Sequence, residues 1–436
     1  MINTVEVFLW KKRIGILHQG DDSEYASFEY DRAFQSSGIE LSPFKMPLGN
    51  KLFSFPELSS SDAFHGLPGL VADSLPDKFG NAVINSWLLN HGKSINSFTA
   101  LDRLCYTGTR GMGALEYHPA TELSSLSHEG RIDVTEMTRL ASSILSQRES
   151  LSYNNSDIGK AQLLEIGSSA GGARAKAVIA WNEKTNEVRS GQTDAGEGYE
   201  HWLIKFDGVS NNGDHEIADP RQYTLIEYIY YLLAKELGID MEECRLMKKD
   251  GLCHFMTKRF DRANGNKLHM QTLAALCHYD YNVPHLCSYE EYAEKAKQLG
   301  IGKSGIEQIY RRMVFAVLGL NCDDHVKNFT FIMERDGKWS LSPAYDITFA
   351  YKPENKWISS HQMTVNGKSF DITKADLITC GKTMGLYSSA CRRIIEHTVS
   401  ALEKWLTLSQ NEGLSEERAL YIDKLLRDNV QRCLMG

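Results

Sequence analysis

Apolar positions alternate with polar ones in short runs near the start of the chain and recur at helical spacing towards its end. The runs at residues 5–10, 13–17 and 25–30 predict strands, because successive side chains of a strand point to opposite faces. Residues 306–320 and 394–406 carry apolar side chains at helical spacing, which predicts helices. We therefore expect an α+β fold.

Between these regions, the hydrophobic pattern predicts a further helix, a linker and a loop. Residues 77–90 predict a helix that ends near Gly92, and the polar, serine-rich segment 123–131 is a plausible linker. The polar stretch 182–198 is expected to be an exposed loop between two strands. We divide the chain into three domains: a β-rich N-terminal subdomain (1–120), a small lobe with a glycine-rich loop (121–257) and a mostly helical lobe (258–436).

A polar segment with an informative set of side chains separates the apolar helical run 310–320 from the strand-like run 329–333. It contains Asp323 and Asn328, five residues apart, and Asp346 follows eighteen residues later. Protein kinases use an aspartate, an asparagine and a later aspartate in this order. The first carboxylate orients the attacking hydroxyl, and the amide and the second carboxylate supply oxygen ligands to the magnesium ions that bridge the phosphates.

Two other interpretations of this segment stay open. Aspartate and asparagine are common between a helix and a strand, because their side chains satisfy loose backbone donors in caps and turns. Asp323, Asp324 and His325 could instead form a hydrolytic metal centre. A phosphotransferase also needs residues that bind phosphate, so the upstream sequence decides between these hypotheses.

A run of small residues upstream leads into the predicted strand 177–181. It reads Gly167-Ser168-Ser169-Ala170-Gly171-Gly172-Ala173-Arg174-Ala175-Lys176. Small side chains let backbone amides approach phosphate oxygens. The run is not a Walker motif, because no G-K-[ST] follows and a strand comes next. Alone it is weak evidence, since such a run is more often a turn.

Lys205 ends the next predicted strand, 199–206, in the position of the lysine in the V-A-I-K motif of kinases. A lysine at a strand end is usually a solvated edge charge. Here it follows a glycine-rich run and precedes a predicted helix, 224–234, that carries Glu227. Glu227 could pair with Lys205, although a surface glutamate is an equally good interpretation. The order of these elements favours a phosphotransferase.

The sequence resembles the HipA family of serine/threonine kinase toxins from bacterial toxin–antitoxin pairs, and the resemblance extends over nearly the whole chain. The matching segments are G-L-V-A-D-S-L-P-D-K-F-G (69–80), G-T-R-G-M-G-A-L-E-Y (108–117), S-A-G-G-A-R-A-K (169–176), L-I-K-F (203–206), K-R-F-D-R (258–262), N-C-D-D-H-V-K-N (321–328) and P-A-Y-D (343–346).

This resemblance implies a two-lobe protein-kinase-like fold with an added N-terminal β-rich subdomain and a mostly helical C-terminal lobe. It assigns Asp323 as the catalytic aspartate and Ser169 as an autophosphorylation site in the glycine-rich loop. Asn328 and Asp346 would coordinate Mg²⁺, and Lys205 would contact the phosphates of ATP. The full set of residues implied to bind the nucleotide and its metal is Ser169, Ala170, Gly171, Gly172, Lys205, Lys258, Phe260, His325, Asn328 and Asp346.

Two positions depart from the family pattern. Lys258, which with Phe260 falls on the hinge that contacts adenine, stands where glutamate is expected. A hinge contact made through its backbone would survive that change. The segment Asp346-Ile347-Thr348 lacks the glycine of D-F-G, so switching through it should not follow that of ordinary protein kinases.

The resemblance also implies partners. These are a small helix-turn-helix antitoxin (HipB-like), operator DNA reached through that antitoxin, and a protein acceptor in the translation machinery, such as an aminoacyl-tRNA synthetase. A small-molecule kinase and a catalytically decayed corepressor are the alternatives. The intact set of Lys205, Asp323, Asn328 and Asp346 argues against decay.

Composition narrows the class of protein further. No apolar stretch reaches the eighteen to twenty residues that span a bilayer, and the first residues show no signal-peptide pattern, so no membrane partner is expected. Nine cysteines lie singly, which suggests neither disulfides nor a zinc site and fits a reducing cytoplasm. The net charge of −8 argues against binding nucleic acid alone over a wide surface.

Overall fold

A computed structural model describes residues 2–120, 131–146, 163, 166–167, 174–192, 195–209, 222–263 and 265–435. The chain divides into two compact units. The first consists of Met1–Thr224, Cys244–Gln271 and Arg335–Gly337, and the second of Leu225–Glu243, Thr272–Glu334 and Lys338–Gly436. Both units combine helices with strands, which confirms the α+β expectation. The predicted division at residues 120 and 257 stays a prediction.

The first unit begins with an antiparallel sheet in the order β4-β3-β2-β1-β5. Its strands are β1 (Thr4–Leu9), β2 (Lys12–His18), β3 (Ser27–Tyr30), β4 (Leu52–Ser54) and β5 (Leu115–His118). The three strands predicted from the alternating pattern are confirmed. Gly15 on β2 lies so close to β3 that a Cβ atom would overlap the carbonyl oxygen of Glu29, so this pairing requires glycine.

Within the described part of the first unit, the helices that follow or interrupt this sheet include α1 (Arg32–Gln35), α2 (Gly69–Ala72), α3 (Lys78–Asn90), α4 (Ala100–Thr107) and α5 (Val134–Ser146). Helix α3 confirms the helix predicted at residues 77–90. It begins where the side chain of Asp77 accepts a hydrogen bond from the backbone nitrogen of Gly80, because an N-cap carboxylate satisfies a free amide of the first turn.

A second antiparallel sheet of the first unit has the order β7-β6-β8-β10-β9. Its strands are β6 (Lys176–Asn182), β7 (Glu187–Ser190), β8 (Glu200–Lys205), β9 (Cys244–Lys249) and β10 (Leu252–Lys258). One face of it shares a core with α3 and α5, to which Phe79, Val83, Leu88, Met137, Ala177, Ile179, Trp202 and Ile204 contribute. Strand β7 lies inside the segment expected to be an exposed loop, because Val188 joins the same core.

Three short strands complete this region: β11 (Arg262–Ala263), β12 (Asn266–Lys267) and β13 (His269–Thr272). The second unit contains β14 (Thr330–Met333) and β15 (Trp339–Leu341), which pair antiparallel. Its helices are α6 (Tyr223–Glu236, whose first two residues belong to the first unit), α7 (Leu273–Cys277), α8 (Tyr289–Gln298), α9 (Lys303–Leu318), α10 (Lys374–Thr383), α11 (Ser388–Leu402), α12 (Trp405–Glu412) and α13 (Glu416–Met435).

Helix α9 confirms the helical pattern seen after residue 306, and most of its C-terminal half is buried. The segment 394–406, predicted as one helix, belongs to two, since α11 ends at Leu402 and α12 begins at Trp405. The break lets the fully buried indole of Trp405 donate a hydrogen bond to the carbonyl oxygen of Ala419. Across the described ranges, no helix is both long and apolar enough to cross a membrane.

Candidate active site

The polar segment singled out in the sequence lies in the second unit, directly after α9. The helix ends at Gly319, and Leu320 turns the chain with a φ of 52°. Beyond this turn, the backbone nitrogen of Cys322 donates to the carbonyl oxygen of Ala350 at 2.9 Å, and the nitrogen of Ala350 donates to Leu320 at 3.0 Å. The segment that carries Asp323 is therefore held against the segment that follows Asp346.

Two consecutive aspartates of this segment have different surroundings. The side chain of Asp324 is 1% exposed and both of its oxygens accept hydrogen bonds. Oδ1 accepts from the backbone nitrogen of Gln362 at 2.7 Å, and Oδ2 accepts from the hydroxyl of Tyr289 at 2.8 Å and lies 2.9 Å from Nδ1 of His361. The side chain of Asp323 is 29% exposed. Asp323 is therefore the carboxylate that can receive an external hydroxyl.

His361 is the charged partner of this buried carboxylate. Burial alone would lower the pKa of His361, but the neighbouring Cys322 and Asp324, together with hydrogen bonds to both side chains, raise it well above its usual value. Nε2 of His361 lies 3.9 Å from the sulfur of Cys322. The histidine is thus held as an imidazolium against the segment that carries Asp323.

Asn328 closes the short 3₁₀ turn Val326–Asn328. Its side-chain nitrogen donates to the backbone oxygen of Asp323 at 2.9 Å, which identifies the other end of the amide as the oxygen and leaves that oxygen for a ligand. Tyr345 links this turn to the segment of Asp346, because its hydroxyl donates to the carbonyl oxygen of Lys327 at 2.9 Å. Asp346 itself is half-buried and has a φ of 54°.

His325 lies beside these groups, with Nε2 3.9 Å from Oδ1 of Asp323 and its ring 5.7 Å from that of Tyr281. Its Nδ1 atom is buried, and no described residue gives it a hydrogen-bond partner. The amide oxygen of Asn328 and the carboxylate of Asp346 are the kind of ligand that magnesium prefers. The unsatisfied ring nitrogen of His325 suits a phosphate oxygen rather than the metal. The described residues contain no group of three or more His, Cys, Asp and Glu side chains arranged to hold a metal, so the hydrolytic-centre hypothesis finds no support there.

In the first unit, Lys205 is the last residue of β8 and is only 6% exposed. It lies directly opposite Lys176 on β6 and Phe255 on β10, and its Nζ is 5.8 Å from the centre of the Phe255 ring. Directly opposed residues of antiparallel strands project to the same face. Lys176 is 2% exposed, with Nζ 3.8 Å from Oδ2 of Asp77. This face of the sheet therefore carries two buried lysines, a suitable environment for an anion.

The two predicted hinge residues lie at and just beyond the end of β10. Lys258 is its last residue and forms an ion pair with Glu200 on β8, with both side chains partly exposed. The next backbone nitrogen, that of Arg259, donates to the carbonyl oxygen of His201 at 2.9 Å. Phe260 is half-buried. Because the ammonium of Lys258 is engaged on the sheet surface, only its backbone would serve a ligand at the hinge.

Asp261, the next residue of this motif, is completely buried. It accepts two hydrogen bonds from Arg259 (2.9 and 2.7 Å), one from Arg262 (2.6 Å) and one from the backbone nitrogen of Gly113 (2.7 Å). Burial would raise the pKa of Asp261, but the two guanidinium groups hold it well below its usual range. Burial lowers the pKa of Arg262 to about 10. Two motifs that are separate in the sequence, around residues 113 and 261, therefore meet in one ionic cluster.

Ser169, Ala170, Gly171 and Gly172 lie outside the described residues, so the phosphate-binding role of the glycine-rich loop and autophosphorylation at Ser169 stay predictions. The roles assigned to Lys205, Lys258, Phe260, Asp323, His325, Asn328 and Asp346 stay predictions as well. Sequence reasoning missed Tyr289, His361 and Gln362, which surround Asp324. No local pattern marks them, because they lie more than thirty residues from Asp324 along the chain.

Comparisons with known proteins place this geometry in a family. Residues 5–118 match the model of the HipA N-terminal domain, and residues 168–406, more than half of the chain, match that of the HipA-like C-terminal domain. The structure is similar to HipA of Shewanella oneidensis, solved with HipB and operator DNA, with a TM-score of 0.66 at 15% identity over 98% of this chain and 96% of that one. The fold is thus the α+β fold of HipA proteins. The chain belongs to the HipA family.

Two curated relatives are named putative kinases. Y4dM of Sinorhizobium fredii is 27% identical over 160 residues, which cover 34% of this chain and 36% of that protein. A protein of Haemophilus influenzae is 28% identical over 160 residues, which cover 33% of this chain and 47% of that protein. The chain therefore aligns with less than half the length of either relative.

Proposed function

We propose that this chain is an ATP- and magnesium-dependent serine/threonine protein kinase that acts as the toxin of a toxin–antitoxin pair. The observation that carries the proposal is the contrast between Asp323, which is partly exposed, and Asp324, whose oxygens are occupied by protein donors. A partly exposed carboxylate that can meet a hydroxyl, followed by an amide oxygen and a second carboxylate, is the arrangement that phosphoryl transfer requires.

Each residue has a defined task in this proposal. Asp323 accepts the hydrogen bond of the attacking hydroxyl and takes its proton as transfer proceeds. Asn328 and Asp346 would hold Mg²⁺ through oxygen atoms. Lys205 binds the phosphates. When bound, magnesium ATP supplies the γ-phosphoryl group and the positive charge that neutralises it.

The remaining predicted residues bind the nucleotide without taking part in proton transfer. The backbone at Lys258 and the side chain of Phe260 would contact adenine, the unsatisfied ring nitrogen of His325 would bind a phosphate oxygen, and the amides of residues 169–172 would bind the phosphates. Ser169 is the residue that another copy phosphorylates. The added phosphate, with about −1.5 to −2 charges, would hold the loop away from ATP.

The partners follow from the family. We propose that a small helix-turn-helix antitoxin binds this chain and brings it to operator DNA, as the solved Shewanella oneidensis assembly contains HipA, HipB and operator DNA. We propose that the acceptor is a cytoplasmic translation component, such as an aminoacyl-tRNA synthetase, whose phosphorylation stops growth.

The proposed chemistry is tested by incubating the purified chain with γ-labelled magnesium ATP and a host lysate, then mapping phosphosites by mass spectrometry. Phosphoserine or phosphothreonine on a lysate protein and on Ser169 is expected. Asp62→Asn, which makes at an exposed aspartate of the first unit the change that Asp323→Asn makes at the site, should leave labelling unchanged. Label found only in small molecules would favour a small-molecule kinase, and no label at all would favour a corepressor without activity.

The proposed toxicity is tested in cells. Expression of the chain without an antitoxin should arrest growth, and Asp346→Asn should relieve the arrest because it weakens magnesium coordination. Arrest that persists in a variant shown to bind no ATP would contradict an enzymatic mechanism.

A further inference from the structure

His361 contacts both neighbours of Asp323. Its Nδ1 lies 2.9 Å from Oδ2 of Asp324, and its Nε2 lies 3.9 Å from the sulfur of Cys322. Residues 322 and 324 flank the predicted catalytic aspartate, so one imidazole ring holds both ends of the three-residue segment. Along the chain the ring is almost forty residues away.

We propose that His361 is a positioning residue, which fixes the direction of the Asp323 carboxylate by holding the residues on either side of it. The proposal rests on the proposed kinase function, and it adds a residue to which no role was assigned from the sequence. His361 acts through Cys322 and Asp324 and does not itself touch the acceptor.

The physical need for such a residue follows from the exposure of Asp323. A carboxylate that must receive a substrate proton cannot be fixed by saturating its own oxygens with protein donors, as those of Asp324 are. Its direction therefore depends also on the backbone on both sides. Asn328 binds the carbonyl oxygen of Asp323, and Ala350 binds the backbone nitrogen of Cys322. His361 supplies the side-chain anchors that complete this set.

His361 is itself well anchored. Its backbone nitrogen donates to the carbonyl oxygen of Ser369 at 2.9 Å, and its carbonyl oxygen lies 3.1 Å from Nε2 of His285. Its side chain is 6% exposed. A rigid, buried ring holds Cys322 and Asp324 in fixed positions and so fixes the backbone of Asp323 between them, whereas a mobile ring would not.

Stability alone gives a poor account of this arrangement. A buried ion pair costs so much desolvation that well-packed apolar side chains of similar volume are often as stable or more stable. Any buried imidazole needs partners for both ring nitrogens. In His361 these partners are the two residues on either side of Asp323, which orientation of Asp323 accounts for.

The test compares His361→Asn with His254→Asn. Asparagine can keep the bond from the Nδ1 position to Asp324 but cannot reach Cys322. His254 is the matched control, because it is 1% exposed in the first unit and its Nδ1 likewise has one partner, the backbone nitrogen of Asp207. Both variants are first brought to equal folded fractions, checked by thermal melting.

Initial rates of label transfer from γ-labelled ATP to a fixed amount of lysate then give the apparent kcat and the KM for ATP. His361→Asn should lower kcat about 10²-fold with KM nearly unchanged, since small misplacements of a catalytic group cost about this factor. The control should keep its kcat. An equal loss in both variants, or a normal kcat in His361→Asn, would overturn the positioning role while leaving the kinase proposal intact.

A second readout does not depend on activity. Hydrogen–deuterium exchange of the peptide that spans residues 321–328 should be faster in His361→Asn than in wild type and unchanged in the control. Cys322→Val, which removes the sulfur partner and leaves the histidine in place, should shift exchange in the same direction by a smaller amount. Unchanged exchange in both site variants would refute the proposal even if wild-type protein transferred no phosphate.

Discussion

Asp261 in the first unit and Asp324 in the second are both buried aspartates inside motifs that the sequence marks as functional, yet their partners differ in kind. Asp261 receives its hydrogen bonds from Arg259, Arg262 and a backbone amide. Asp324 is bound by a phenol, a backbone amide and an imidazole. Guanidinium groups stay charged at any ordinary pH, whereas an imidazole can lose its proton.

This difference separates two tasks. The cluster at Asp261 connects the segment around Gly113 to the residues that follow β10, and groups that stay charged suit a permanent structural contact. The cluster at Asp324 lies next to a partly exposed carboxylate that we propose to be catalytic. A buried motif residue can therefore support its neighbours, and burial distinguishes such residues from those that we propose to meet the substrate.

The largest effect on stability is expected at the ionic cluster of Asp261, Arg259 and Arg262. Asp261→Ala should lower the free energy of unfolding by about 3–5 kcal/mol, because it leaves two buried guanidinium groups without a counter-charge. The measurement is denaturant-induced unfolding. Asp371→Ala, which removes an exposed ion pair with Arg432, should change it by less than about 1 kcal/mol. Equal losses of unfolding free energy in the two variants would show that the Asp261 cluster contributes no more to stability than an exposed ion pair.

The two clusters should also lose their contributions to stability at opposite ends of the pH scale. The pKa of Asp261 is lowered, so its contribution is present above about pH 3.9 and is lost as pH falls through the folded value. The pKa of His361 is raised, so its contribution is complete below about pH 6.5 and is lost as pH rises through the folded value. Burial and the charge of Asp324 raise the pKa of Tyr289, so its hydroxyl stays protonated while His361 loses its proton.

Thermal melting against pH checks this smaller effect. The difference in melting temperature between wild type and His361→Asn should be constant in mild acid and should shrink as the solution becomes alkaline. A difference that grows with pH would mean that His361 is neutral in the folded protein.

The sequence predicted the parts of this molecule that depend on local pattern. Alternation predicted β1 to β3, and helical spacing predicted α3 and α9. Motif order singled out Asp323, Asn328 and Asp346, whose roles stay predictions. Strand β7 was missed because its four residues are mostly polar and only Val188 and Ser190 are buried. The helix break before Trp405 was missed because the apolar spacing continues across it.

The supports of the site could not be predicted, because they depend on long-range packing. Nothing in the spacing of Tyr289 or His361 relates them to Asp324, and a histidine in a loop has no periodicity to interpret. The meeting of Gly113 with Asp261 likewise joins residues almost 150 positions apart. Both motifs were recognised in the sequence, but their contact required the fold.

The central claim is that Asp323, and not Asp324, orients the phosphoryl acceptor. The most direct measurement is the transfer rate of Asp323→Asn in the lysate assay, with ATP affinity measured on the same sample. We expect a loss of about 10²–10⁴ in rate, with ATP affinity and melting temperature close to wild type. Normal transfer by Asp323→Asn, with transfer abolished in a stably folded Asp324→Asn, would contradict it.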